Sequence, residues 1–115
     1  MNDGKGAATM AAINVNEDDF DGVVTESETP VVVDFWAEWC GPCKQMSPHL
    51  EAVSEEMTGK VKIVKVNVDD YPLVGARYGV RGLPTLLMFK GGKVTATRNG
   101  AMNRQALTDW IKQSL

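Results

Sequence analysis

Val31 to Trp36 is a near-continuous apolar run that only Asp34 interrupts. Such a run suits a strand buried on both faces. From Cys43 the period changes: Met46, Leu50, Val53 and Met57 recur at helical spacing, with Gly59 as the stop. Pro48 lies inside this helix and predicts a kink. Upstream, Ile13 to Val15 reads as a first strand, and Asn16 caps a helix striped by Phe20, Val23 and Val24. Downstream, Val61 to Val68 is a β-branched strand, and Asp70 and Pro72 open a short helix that Gly79 ends. Thr85–Phe89 and Val94–Thr97 are strands joined by Lys90-Gly91-Gly92-Lys93, a hairpin signal. Asn103 then caps a helix with Leu107, Trp110, Ile111 and Leu115 on one face. The order is βαβαβα followed by ββα. Parallel strands with helical crossovers, extended by an antiparallel hairpin, predict one mixed α/β sheet with helices on both faces.

The chain has 115 residues, enough for one domain, and 43% of them are apolar. Residues 1–12 are rich in Gly and Ala and read as a flexible tail, leaving 13–115 as the domain. A net charge of −3, with only Lys60, Lys62 and Lys65 gathered, argues against nucleic acid. No apolar run approaches the ~20 residues of a membrane span. The first residues lack the basic start and apolar stretch of an export signal. The expectation is therefore a cytoplasmic monomer in a reducing compartment, where a close cysteine pair serves catalysis or metal binding.

Both cysteines lie in Trp39-Cys40-Gly41-Pro42-Cys43, between the buried strand and the long helix. Zinc wants about four N or S ligands, and the chain offers two Cys and one His, His49. A c-type haem needs His after the second Cys, but residue 44 is Lys. A structural bridge would close a very short loop and add little stability. A redox dithiol fits best. At a helix N-terminus, unpaired N–H groups and the dipole favour the thiolate, the nucleophilic form. Gly41 leaves Cys40 open to another backbone, and Pro42 stiffens the turn without costing a helical hydrogen bond. Trp39, at the turn, would shield one side of the pair. His49 reads as a packing or surface residue.

Val33-Asp34-Phe35-Trp36-Ala37-Glu38-Trp39-Cys40-Gly41-Pro42-Cys43-Lys44 resembles the active-site segment of bacterial-type thioredoxins. Tyr78-Gly79-Val80-Arg81-Gly82-Leu83-Pro84-Thr85 is similar to that family's cis-proline loop. Phe89-Lys90-Gly91-Gly92-Lys93-Val94 and Gly100-Ala101 are similar to its hairpin and last substrate-facing loop. The likeness runs from Ile13 to Leu115 without a gap. It implies the thioredoxin fold, with five strands in a central mixed sheet and four helices.

The resemblance also implies roles. Cys40 would attack a protein disulfide and Cys43 would resolve the mixed disulfide. Asp34, costly to bury unpaired, would accept the proton of Cys43, directly or through a water. Without the resemblance Asp34 reads rather as a strand-edge carboxylate, solvated or paired for stability. Lys65, which similarly interrupts an apolar strand, could pair with Asp34 and modulate it. Trp39, Gly82, Leu83, Pro84, Gly100 and Ala101 would form the substrate surface, with the backbone at Leu83 bonding an extended segment. Asn99 departs from the pattern, which has a small apolar residue before this glycine. No cofactor would be bound. Recycling would come from a flavin-containing, NADPH-dependent thioredoxin reductase. The expected activity is protein-disulfide reduction in cell redox homeostasis. A thiol oxidase or isomerase of the same fold, and a non-enzymatic binding subunit, are the alternatives.

Overall fold

The computed structural model describes residues 12–115, so the expected tail lies almost wholly outside the described residues. Five strands form one sheet: β1 (Ile13–Asn14), β2 (Val31–Trp36), β3 (Lys62–Asn67), β4 (Thr85–Lys90) and β5 (Lys93–Asn99). Their spatial order is β1-β3-β2-β4-β5. β3 pairs in parallel with β1 and β2, whereas β4 runs antiparallel to β2, and β5 to β4. The mixed sheet expected from the element order is present.

Four helices flank it. α1 (Glu17–Phe20) continues into a wider π-type turn over Asp21–Thr25, and α2 spans Gly41–Glu56. α3 is Pro72–Arg77 and α4 is Arg104–Ser114. The expected caps form: Asn16 Oδ1 accepts from Asp19 N–H, and Asn103 Oδ1 from Ala106 N–H, both at 2.8 Å. α2 continues unbroken through Pro48.

Strand alternation divides the core into two layers. Val31, Val33 and Phe35 of β2 pack with Phe20, Val24 and Val74 on the side of α1 and α3. Val32 packs with Met46, Leu50, Leu107 and Ile111 on the side of α2 and α4. Leu115 departs from its expected place on the α4 core face. α4 ends at Ser114, and Leu115 is 41% exposed because the chain leaves the packed stripe there. Among the described residues, no helix is long and apolar enough to cross a membrane.

Candidate active site

The central strand β2 ends at Trp36 and α2 begins at Gly41, so the cysteines sit in the strand-to-helix corner. Cys40 is the N-cap of α2, and its Sγ accepts the backbone N–H of Cys43 at 3.2 Å. Pro42 stands within the first two helical positions, where a missing N–H costs no bond. Cys40 and Cys43 are disulfide-bonded, with their Cα atoms 5.3 Å apart. Both are nearly buried, at 4% and 2% exposure, and pack with Ala37, Trp36, Val68 and Leu83. The first sulfur thus lies at the positive end of a sixteen-residue helix, and the second sits one turn inside it.

The Leu83–Pro84 peptide bond is cis, as the resemblance implies. Leu83 reaches the cysteine cluster from this loop. Gly82 and Leu83 line two hollows. One, of about 350 Å³, also takes in Trp39, Val68 and Arg81. The other, of about 380 Å³, takes in Pro84, Asn99 and Gly100. Trp39 is 70% exposed, so core packing does not account for it. Its Nε1 donates to Asp69 Oδ2 at 2.9 Å, which steadies the indole at the rim. Ala101 is exposed beyond Gly100. A Cβ at Gly41 or Gly82 would meet nothing within 4 Å, and neither residue has a positive φ. Backbone geometry therefore does not demand glycine at these two, and both face open space. Gly100 differs: its φ of +93° calls for glycine on conformational grounds alone.

On β2, two residues before Trp36, Asp34 is 1% exposed, and among the described residues neither carboxylate oxygen has a hydrogen-bond partner. Burial pushes its carboxyl up to about 7, against a smaller downward pull from the Lys65 ammonium. Asp34 and Lys65 are register partners on adjacent parallel strands. The direct pairing considered from sequence does not form. Lys65 Nζ instead donates to Ser47 Oγ at 3.1 Å and lies 5.0 Å over the Trp36 ring. Its long stem carries the ammonium beyond the short aspartate side chain. Lys65 acts on Asp34 by charge through space, not by contact.

Sequence reading missed this neighbourhood. Trp36, Cys43, Ser47, Glu51 and Lys65 line a cavity of about 420 Å³ that reaches the inner cysteine. The signal was available: Ser47 and Glu51 follow Cys43 at four-residue steps and so share its helix face. His49 is half-buried on α2. Among the described residues, no three potential metal-ligating His, Cys, Asp or Glu side chains gather.

A cysteine pair at a strand-to-helix corner, beside a cis-proline loop and following a strand that buries a neutral-range carboxyl, defines a thiol–disulfide oxidoreductase. The thioredoxin family profile matches residues 11–113. Similar proteins include a thioredoxin of Rickettsia felis, 45% identical over 104 residues, covering 90% of this chain and 99% of the relative. A thioredoxin of Haemophilus influenzae is 48% identical over 103 residues, covering 90% and 96%. The chain belongs to the thioredoxin family and is a protein-disulfide reductase that works by dithiol–disulfide exchange.

Proposed function

We propose that Cys40 is the attacking residue and Cys43 the resolving one. The observation that carries this is the N-cap geometry, with Cys40 Sγ accepting the Cys43 N–H at the helix terminus. In the reduced protein the same donor and the helix dipole stabilise a Cys40 thiolate. That thiolate attacks one sulfur of a substrate disulfide. A Cys40–substrate disulfide forms, and the other substrate sulfur leaves as a thiolate and takes up a proton. Cys43 loses its proton to Asp34 and attacks Cys40 Sγ. The Cys40–Cys43 disulfide closes and the second substrate thiol departs. Two electrons pass from the dithiol to the substrate, and both substrate sulfurs end as thiols.

Asp34 suits the proton step because a carboxyl near 7 exchanges a proton readily at neutral pH. Lys65 keeps that carboxyl from rising further. The substrate segment lies across Trp39, Gly82, Leu83, Pro84, Gly100 and Ala101, with its backbone bonded at Leu83. The oxidised pair is recycled by a flavin-containing thioredoxin reductase that draws on NADPH, in the cytoplasm. The chain works as a monomer and holds no cofactor of its own.

The test is insulin reduction coupled to NADPH and a thioredoxin reductase. The expected result is catalytic turnover with NADPH consumption. With Cys43→Ser, mixed disulfides through Cys40 accumulate. Efficient turnover without any trapped species overturns the assignment of the two cysteines.

A further inference from the structure

Asn99 ends β5 in register with Thr85, the first residue of β4 after the cis proline. Thr85 Oγ1 stands 2.6 Å from the Gly82 carbonyl oxygen and 3.2 Å from the Oδ1 position of Asn99. A threonine hydroxyl has a single proton. The Gly82 carbonyl can only accept, and its contact is the shorter, so the proton goes there. The Asn99 group that faces Thr85 must then donate, or two sets of lone pairs would oppose each other. The oxygen and nitrogen of an amide are assigned by their partners, and this partner calls for Nδ2. Turning the amide by half a turn seats Nδ2 on Thr85 and leaves Oδ1 facing outward.

The corner is held from the backbone as well, since Gly100 N–H donates to the Pro84 carbonyl at 2.9 Å. Asn99 is exposed and lines the same hollow as Gly82, Leu83 and Pro84. A fixed acceptor therefore stands beside the loop proposed to bind the substrate backbone.

We propose that Asn99 is a substrate-positioning residue whose Oδ1 accepts a hydrogen bond from a polar side chain of the substrate segment lying over Leu83 and Pro84. The protein then favours disulfides flanked by a hydrogen-bond donor over those flanked by an aliphatic residue. This rests on the reductase reading and on the substrate surface given above. An aliphatic flank would bury Oδ1 unpaired, whereas a donor completes it. A neutral hydrogen bond of this kind corresponds to about a two- to tenfold preference.

The test uses two disulfide-bridged peptides that differ in one residue beside the cysteine, Gln in one and Leu in the other. The readout is the ratio of their kcat/KM values. Asn99→Leu, close in volume, should lower the Gln-to-Leu ratio about three- to tenfold. Thr85→Val should lower it as well by freeing the amide, and Thr85→Ser should restore it. In side-chain amide NMR spectra, one Asn99 Nδ2 proton should exchange slowly, and this protection should be lost in Thr85→Val. An unchanged or raised ratio in Asn99→Leu overturns the proposal, as does free exchange of both Nδ2 protons in the wild type. Wild-type protein that reduces neither peptide overturns the reductase reading itself. Reduction of both with an unchanged ratio removes Asn99 alone.

Discussion

The two faces of β2 hold different kinds of interior. Towards α1 and α3, Val31, Val33 and Phe35 pack in an apolar cluster with Phe20, Val24, Val64 and Phe89. Phe20, Tyr78 and Phe89 form edge-on and tilted ring contacts there, with centroids 5.1–5.9 Å apart. Towards α2, the same strand places Val32, then Asp34, then Trp36, on a line that climbs to the cysteines. One face is a closed apolar layer. The other begins as one and then carries the buried Asp34, and Lys65, Ser47 and Glu51 line the cavity that reaches Cys43. A carboxylate in the first layer would be a folding defect. In the second, burial moves it up to about 7, which suits the proton step proposed for it.

The largest way to separate the faces is to remove the chemistry at the corner. Cys40→Ser should abolish insulin reduction, by more than about a thousandfold, since Cys43 sits a turn inside the helix rather than at its cap. Its thermal midpoint, compared with reduced wild type, should barely move. A large loss of stability would mean that the pair also serves the fold.

Phe35→Ala strikes the closed layer. It should cost about 3–5 kcal/mol in chemical denaturation, the usual range for deleting a buried aromatic ring. The protein that remains folded should keep its kcat/KM within severalfold. A catalytic loss comparable with that of Cys40→Ser would show that the two faces are not independent.

Asp34→Asn acts in the opposite direction on stability. The folded carboxyl sits near 7 against an ordinary value of 3.8. Above about pH 7 the folded state bears the full cost of a buried charge. Between 7 and 3.8 the folded carboxyl holds a proton that the unfolded one has released, so the cost fades as pH falls. Below that range both forms are neutral. Asp34→Asn should therefore stabilise the protein by up to about 4 kcal/mol above pH 7, and by little near pH 4. Denaturation at the two pH values checks the sign. The same variant should slow resolution of the mixed disulfide about a hundredfold or more near neutral pH.

Lys65→Met is the mildest. Without the ammonium the Asp34 carboxyl should move further upward, because the only opposing pull is gone. The pH profile of the resolving step should shift to higher pH while its maximum rate stays within about tenfold. A profile left in place would show that the charge of Lys65 is spent on Ser47 and Trp36 alone.

Much of this was legible in the chain. β2 was readable to its ends because an apolar run of that length has one economical fate, burial on both sides. The caps at Asn16 and Asn103 were readable because short polar side chains at helix starts act over three residues. The cysteine corner was readable from spacing. Contacts between distant segments were not. Lys65 bonding Ser47, Trp39 bonding Asp69, and Thr85 lying between Gly82 and Asn99 each depend on where separate elements come to rest. The Asp34–Lys65 pairing was a sound guess from two polar interruptions in neighbouring strands. Side-chain reach decided against it.

The sequence by itself determined the order of elements, the buried central strand and a vicinal dithiol at a helix start. These follow from local periodicity and spacing, which need no knowledge of the rest of the chain. The tertiary structure alone decided the environment of that dithiol. It set the Asp34 carboxyl at about 7, because desolvation depends on every element that closes over the group. It also brought Leu83 against the cysteines and Asn99 to the rim of the same loop, contacts between separate segments that are made only when the sheet assembles.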